Sequence, residues 1–210
     1  MITDTPYTSI VLASSSAYRR MQLETIVTVD DCIHPAIDER TLSGESQHDR
    51  AKRLSEAKAL KVMSDVSSRY DGPLIVLAGD QTAACKGRSL EKPNDPTRAA
   101  QQLAWASGAE AEFFSGVACL FRAKPDDNIE AASRVVTSTV CFRDLSSDLI
   151  AAYLKREDVL DCAGSFKCEG LGISLFDCIE SDDPSALVGM PLIATRQLLG
   201  LAGVEVLHRR

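Results

Sequence analysis

Strand-like and helix-like segments alternate along the whole chain of 210 residues. Short apolar runs at 9–13 (SIVLA) and 74–79 (LIVLAG) predict buried strands. Between residues 47 and 70, apolar side chains recur at steps of three and four, which predicts a long amphipathic helix. Because no linker, repeat or low-complexity tract interrupts this alternation, the sequence predicts an α/β fold in one domain over residues 1–210.

Turn and cap signals place the other elements. Asp95-Pro96 is typical of a helix start and Ser107-Gly108 of a helix end, while Lys86-Gly87 predicts a hairpin tip. Further strands are predicted at 26–33, 111–122, 129–142 and 172–179, and further helices at 17–25, at 146–155 and from Pro191 onward. Hairpins and crossovers together predict a mixed sheet. The first strand lacks a following glycine-rich turn, which argues against a doubly wound dinucleotide fold.

The charge balance restricts the partners. The chain carries 30 acidic and 23 basic side chains, for a formal net charge of −7. This charge repels nucleic-acid phosphates and anionic lipid at long range, so we expect neither nucleic acid nor a membrane as a partner. No stretch approaches the roughly 20 apolar residues of a membrane span. A few cations gathered in one cleft can still bind a small anion.

Seven cysteines form an odd set with no C-x-x-C pair and no zinc-finger spacing. We therefore expect reduced, mostly buried thiols, which are typical of a reducing compartment. The amino-terminal segment has no basic region before its short apolar run, so it does not resemble a secretory signal. These features predict a cytoplasmic protein.

Three serines, 14–16, follow the first predicted strand and precede a helix that carries Arg19 and Arg20. Backbone N–H groups at a helix start, together with hydroxyl and guanidinium groups, favour a bound phosphate. Capping serines beside two solvated arginines are the structural alternative.

Asp80 directly follows the predicted strand 74–79, at the end of a strand where open α/β sheets bind ligands. A carboxylate there can hold Mg²⁺, accept a proton from water, or merely cap a turn. Glu39 is a candidate second carboxylate, and Lys58 and Lys92 add cations from other segments. Taken together, these groups are what a metal–triphosphate site requires.

The segment 161–173 (DCAGSFKCEGLGI) has three glycines among small residues, which allow a ligand or another backbone to approach closely. Glu169 within it could accept hydrogen bonds from a nucleotide base, or it could lie on the surface.

Six motifs in this order resemble the Maf nucleoside triphosphate pyrophosphatases. They are 10–20 (IVLASSSAYRR), 78–81 (AGDQ), 90–93 (LEKP), 114–117 (FSGV), 162–173 (CAGSFKCEGLGI) and 187–193 (LVGMPLI). The resemblance implies an elongated mixed-sheet fold related to inosine triphosphate pyrophosphatases, with a nucleotide cleft between lobes and commonly a homodimer. It also implies a divalent metal, Mg²⁺ or Mn²⁺, and hydrolysis of the α–β phosphoanhydride of a nucleoside triphosphate to monophosphate and pyrophosphate.

The resemblance assigns roles by position. Asp80 would accept a proton or bind the metal, and Glu39 would support the metal. The phosphate chain would be held by Ser14, Arg19, Lys58 and Lys92.

Within that family, Asp80-Gln81 and 163–170 are similar to the branch that hydrolyses 7-methyl-GTP, whereas the pyrimidine branch typically has Asp-Thr and a glutamine there. Glu169 could accept the N1–H and N2–H₂ donors of guanine together, and Gln81 could complement the remaining acceptor. Tyr18, where the branch usually has tryptophan, would offer the cationic methylated base a cation–π contact of about 1–2 kcal/mol.

Two alternatives stay open on the sequence. The first keeps the reaction but takes dTTP or UTP as substrate. The second is a nucleotide-binding regulator of cell division or septum formation that does not hydrolyse its ligand.

Overall fold

The computed structural model describes residues 8–208; residues 1–7, on which part of the amino-terminal prediction rests, lie outside them. The strands are β1 (Ser9–Leu12), β2 (Asp31–Cys32), β3 (Leu74–Cys85), β4 (Arg88–Ser89), β5 (Glu110–Arg122), β6 (Glu130–Phe142) and β7 (Phe176–Ser181). The α-helices are α1 (Ala17–Leu23), α2 (Gln47–Val66), α3 (Pro96–Ala106), α4 (Ser147–Leu154) and α5 (Leu192–Leu201). Among these residues, no helix is both long and apolar enough to cross a bilayer.

The strands form one sheet in the order β2-β1-β3-β5-β6-β7, and β4 pairs with the end of β3. β1 runs parallel to β2 and β3, whereas the pairs β3–β5, β5–β6 and β6–β7 are antiparallel. The prediction of an α/β fold with a mixed sheet is therefore confirmed. The helix start at Asp95-Pro96 is confirmed as well, since the Asp95 side chain accepts the backbone N–H of Arg98.

Three predicted strands differ from the structure by more than one residue at an end. The strand predicted at 26–33 shrinks to Asp31–Cys32, because β1 offers it only Val11 and Leu12 as partners. The strand predicted at 172–179 begins only at Phe176, after a 3₁₀ turn at Leu171–Leu175. The strand predicted at 74–79 continues to Cys85, because β5 pairs with all twelve residues of β3. Asp80 therefore lies within a strand and not after one.

The cysteine prediction needs a correction. Cys141 and Cys178 are joined by a disulfide, because they lie directly opposite each other on β6 and β7 with 5.1 Å between their Cα atoms. A separation of 37 residues gives no sign of this pairing in the sequence. Five cysteines are free thiols: Cys32, Cys85, Cys119, Cys162 and Cys168. Burial raises the pKa of Cys119 to about 12, so that thiol is unreactive.

One edge of β3 is only partly covered by strands. On that edge β1 pairs with Leu74 to Leu77, and β4 pairs with Ala84 and Cys85. Between them, residues 78–83 face loops instead of a strand within the described chain. A strand edge without a partner leaves room beside the sheet, and the cavity described below opens there.

The hydrophobic core is divided along the length of β3. Ile75 and Leu77 pack toward α1 and α5 on one face of the sheet, while Val76 and Ala78 pack toward α2 on the other. The second half of β3, with Ala83 and Cys85, belongs to a separate cluster with α3 and α4. Asp80 and Gln81 lie where one core ends and the other begins.

Helix α2 approaches the sheet closely because β5 has a glycine beneath it. Gly116 lies opposite Asp80 in the register, and a Cβ at this position would stand 2.4 Å from the backbone carbonyl oxygen of Ala51 on α2. That separation is far below van der Waals contact. A larger residue at position 116 would push α2, which carries Lys58, away from Asp80.

We expect Gly116→Ala to destabilise the protein by about 3 kcal/mol, because the added methyl group must displace the α2 backbone. Gly200→Ala on α5 is the matched control, since a Cβ there meets no atom within 4 Å, and we expect it to be neutral or to stabilise by up to about 1 kcal/mol. Urea unfolding of both variants measures the difference. Equal stabilities of the two variants would contradict the close approach of α2.

Candidate active site

A cavity of about 730 Å³ opens beside the uncovered edge of β3. It is lined by the loop after β1, the loop before α2, one face of α2, the middle of β3, the segment after β4, and residues 161–169. The nine residues to which the resemblance assigns a role all line it: Ser14, Tyr18, Arg19, Glu39, Lys58, Asp80, Gln81, Lys92 and Glu169. Arg20 pairs with Glu24 instead and is not part of the lining. The fold thus brings together side chains that are up to 155 positions apart, from Ser14 to Glu169.

The ammonium group of Lys58 lies between two carboxylates. Its Nζ is 2.6 Å from Oδ1 of Asp80 and 2.8 Å from Oε1 of Glu39. Lys58 and Asp80 are each only 6% exposed, whereas Glu39 reaches in from an exposed loop. Two charges buried to this degree stay ionised at an acceptable cost only when they are paired.

The charges around Lys58, Asp80 and Glu39 favour the anionic form of Glu39. Burial opposes ionisation of Glu39, but its hydrogen bond to Lys58 and the positive charges of Lys58, Lys92 and Arg19 outweigh burial and lower its pKa. Burial lowers the pKa of the Arg19 guanidinium, while Asp80 and Glu39 act in the opposite direction. Among the described residues, no group of three or more His, Cys, Asp or Glu side chains is arranged to hold a metal ion.

Arg19 is fixed in the first turn of α1. Ser16 caps this helix by accepting the backbone N–H of Arg19, and the Nε of Arg19 donates to the carbonyl of Gly189 at 3.0 Å. Gly79 makes room for the guanidinium, since a Cβ there would lie 3.2 Å from Nε. Within residues 8–208 the terminal nitrogens of Arg19 donate to no protein group, so they are available to a ligand in the cavity.

Ser14 and Lys92 occupy two further positions around the cavity. Ser14 is buried, and its Oγ accepts the backbone N–H of Ser16, which leaves its hydroxyl hydrogen free to be donated. Lys92 is exposed at the rim, and its positive charge helps to lower the pKa of Glu39.

Three residues predicted to contact a base have distinct surroundings. The ring of Tyr18 already faces a cation, because the Nζ of Lys167 lies 5.5 Å from its centroid. Glu169 is exposed at the cavity wall. The amide nitrogen of Gln81 donates to protein acceptors, among them the carbonyls of Ala186 and Leu187 at 3.1 Å each. The Gln81 nitrogen, which the sequence analysis offers to an acceptor on the base, is thus already bonded to the protein in this structure.

Several lining residues were not singled out from the sequence. Arg50 and Leu54 line the cavity two turns and one turn, respectively, before Lys58, and their four-residue spacing could have revealed a shared helix face. Phe113 and Phe166 form an apolar wall with their rings edge to face, 5.2 Å apart. No sequence spacing links these two residues, because sheet pairing and the loop after α4 bring them together.

Comparison with known proteins gives consistent matches. The family model described as Maf-like protein matches residues 9–202. A "7-methyl-GTP pyrophosphatase" of Pseudomonas aeruginosa is 42% identical over 94% of this chain and 98% of that protein. The protein of that name from Burkholderia orbicola is 42% identical over 92% and 89%, respectively. Among solved structures, a "Nucleoside-triphosphatase / dITP/XTP pyrophosphatase" from Mycobacterium abscessus aligns at 17% identity with a TM-score of 0.33, over 64% of this chain and 73% of that one.

We expect Lys58→Met to lower the free energy of unfolding by about 3 kcal/mol at pH 7, because it leaves the buried Asp80 carboxylate and the adjacent Glu39 carboxylate without their cation. The loss should shrink as the pH falls toward 4, since protonation of Glu39 removes one unpaired charge. The sign follows from Glu39: its lowered pKa in the folded state contributes stability above the unfolded pKa, and this contribution is lost as the pH falls through the folded pKa.

Lys61→Met is the control for this experiment. Lys61 lies one turn along the same helix and pairs with Asp65 on the exposed side, so its loss should cost less than about 0.5 kcal/mol at either pH. Denaturant titrations at pH 7 and pH 4 distinguish the two variants. A pH-independent loss for Lys58→Met would show that packing, and not charge pairing, is what the lysine provides.

Proposed function

Because this chain belongs to the Maf family, we propose that it is a nucleoside triphosphate pyrophosphatase that hydrolyses 7-methyl-GTP to 7-methyl-GMP and pyrophosphate. The observation that carries the proposal is the Lys58 ammonium between Asp80 and Glu39, in a cavity that also holds Arg19. The names of the relatives at about 40% identity support both the reaction and the base.

The chain's own cations would bind the triphosphate. Arg19, with its terminal nitrogens free, and Lys58 can each contact phosphate oxygens, and the rim position of Lys92 suits the outer end of the phosphate chain. Hydrolysis of a phosphoanhydride needs positioning and neutralisation of charge more than covalent assistance from the protein. The Ser14 hydroxyl can donate one further hydrogen bond.

Asp80 would accept the proton of the attacking water. Its position in the middle of a strand paired over its whole length gives it a rigid support, and the Lys58 ammonium lies 2.6 Å from its carboxylate at low exposure. The water oxygen adds to the α-phosphorus, the bond from that phosphorus to the bridging oxygen breaks, and pyrophosphate leaves with the electron pair of the broken bond.

The residues present fit a divalent metal. Asp80 and Glu39 are hard oxygen donors, and one cation, the Lys58 ammonium, already contacts both. Mg²⁺ is commonly bound by one or two carboxylates together with substrate phosphates, so a pair of acids suffices without a closed protein cage. When bound, Mg²⁺ or Mn²⁺ would supply neutralisation of phosphate charge and acidification of a water molecule.

The other end of the cavity suits a purine. Phe113, Phe166 and Leu187 belong to one hydrophobic cluster and provide an apolar wall, and Glu169 provides an anionic acceptor at the rim. Guanine presents adjacent N–H donors, and methylation at N7 gives the base a positive charge that an acidic acceptor and the Tyr18 ring both favour. These features favour 7-methyl-GTP over dTTP and UTP.

A second proposal concerns setting and assembly. We place the enzyme in the cytoplasm, where nucleoside triphosphates are abundant, as a homodimer. The overall charge of −7 supports a small nucleotide, and not a nucleic acid, as the anionic partner. Ile179 is exposed on the edge strand β7, which suits contact with a second copy.

We expect Asp80→Asn to lower kcat/KM for 7-methyl-GTP by about 10³-fold, because the amide cannot accept the proton of water. The fold should survive, since Lys58 retains Glu39 as a partner. Pyrophosphate release in the presence of Mg²⁺ is the measurement, and Asp177→Asn on β7 is the control. A folded Asp80→Asn protein with a near-normal rate would remove Asp80 from this role. A wild-type protein that binds the nucleotide tightly and releases no pyrophosphate would instead support the regulator.

We expect Glu169→Gln to lower kcat/KM for 7-methyl-GTP at least tenfold more than kcat/KM for UTP, because its new amide hydrogens would oppose the donors of guanine. Glu180→Gln on β7, at an exposed position outside the cavity lining, is the control. Steady-state rates with both nucleotides give the ratio. An unchanged ratio would exclude Glu169 from base recognition.

A further inference from the structure

Ser115 lies in the sequence motif 114–117 (FSGV), and none of the residues with a proposed role belongs to this motif. Its side chain is fully buried on β5, and it lies opposite Gln81 of β3 in the register. The Oγ of Ser115 is 3.0 Å from the Gln81 amide nitrogen and 2.7 Å from the carbonyl oxygen of Ala186. Ser115 thus connects a residue of the cavity wall to the loop before α5.

The direction of these hydrogen bonds is fixed by chemistry. A carbonyl oxygen only accepts, so the single hydroxyl hydrogen of Ser115 is donated to Ala186. The Ser115 oxygen must then accept from Gln81. The Gln81 nitrogen also faces the carbonyls of Ala186 and Leu187. Because all three neighbours are acceptors, the nitrogen must point toward them, and the amide cannot be flipped.

The two carbonyls are themselves held in place. Asp183 is buried, and its Oδ2 accepts the backbone N–H groups of Ile193 and Ala194 at the start of α5. The 3₁₀ turn Ala186–Val188 therefore lies on a loop tied at its base to a helix. The acceptors that orient Gln81 do not depend on a ligand.

The oxygen of Gln81 has the opposite environment. Within residues 8–208 the Oε1 atom of Gln81 receives no hydrogen bond. It is not one of the buried side-chain atoms that lack a partner, so it is accessible, and Gln81 lines the cavity. Its Oε1 is therefore the atom that Gln81 offers to a ligand. The Gln81 oxygen and the Glu169 carboxylate, both in the cavity lining, can only accept hydrogen bonds.

We infer that Ser115 is a positioning residue that holds the Gln81 amide with its oxygen toward the base, so that the site selects a base with adjacent hydrogen-bond donors. This inference rests on the proposed function. A base that offers a carbonyl where guanine offers an amino group would leave the Gln81 oxygen unpaired or facing another acceptor, and a polar site rejects such a ligand strongly.

The test compares GTP with ITP, which lacks the N2 amino group, and with XTP, which has a carbonyl oxygen there. We expect kcat/KM of the wild-type protein to favour GTP over each by about tenfold or more. Ser115→Ala should reduce these ratios at least threefold, Gln81→Leu should bring them close to one, and Ser115→Thr, which restores the hydroxyl, should return them toward the wild-type values.

Ser138→Ala is the matched control, because Ser138 is equally buried on the neighbouring strand β6 and its hydroxyl bonds to that of Ser181, outside the cavity lining. It should leave the ratios unchanged. If Ser115→Ala does not fold, the half-exposed Gln81→Leu and the Ser115→Thr variant still decide the matter. Wild-type ratios in either Ser115→Ala or Gln81→Leu would overturn the inference.

Calorimetric binding of the α,β-methylene analogues of GTP and ITP separates this inference from the proposed function. A wild-type protein that binds the GTP analogue at least tenfold more tightly, loses this preference in Gln81→Leu, and releases no pyrophosphate from any nucleotide would refute the hydrolase and support the acceptor site. Equal binding of the two analogues by the wild-type protein would overturn the acceptor site, whatever the hydrolytic rate.

Discussion

The pairing of Lys58 with Asp80 is the interaction on which the arrangement of the site depends. Both side chains are almost fully removed from water, and each would be costly to ionise alone. Their pairing requires α2 to lie close against the middle of the sheet, and Gly116 permits that approach. Glu39 adds a second carboxylate from an exposed loop. One close contact between a helix and a strand thus sets the position of the acid, its cation and the second acid.

The cavity exists because β3 is much longer than its parallel neighbour. β1 has four residues and β3 has twelve, so β1 ends beside Leu77 and leaves the next part of β3 to loops. Sheets usually cover such an edge because unpaired backbone groups invite aggregation. Here Asp80 and Gln81 occupy this stretch and direct their side chains to opposite faces of the sheet. One strand therefore supplies both the acid at the phosphate end and the amide near the apolar wall.

Sequence reasoning succeeded where the signal was local. The Asp95-Pro96 cap, the Lys86-Gly87 turn and the long strands β5 and β6 are all encoded within a few residues, and the structure has them. It failed where pairing partners decide the outcome: β2 is short because β1 is short, and Cys141 meets Cys178 only through the register of two strands. The orientation of Gln81 depends on three acceptors from β5 and a loop more than 100 residues away. No pattern within a single segment carries that information.

The charge of the proposed substrate explains why this cavity can contain groups of both signs. A triphosphate needs the cations around Asp80, whereas a methylated guanine is itself cationic and is favoured by Glu169, by the Gln81 oxygen and by the Tyr18 ring. In the ligand-free protein the Tyr18 ring already attracts an ammonium group, that of Lys167. A neutral base that displaced Lys167 would lose this cation–π contact without replacing it, whereas a cationic base would restore it. If the proposed function holds, the same contact would penalise unmethylated nucleotides and spare the methylated one, and a tyrosine face would make this preference smaller than a tryptophan would.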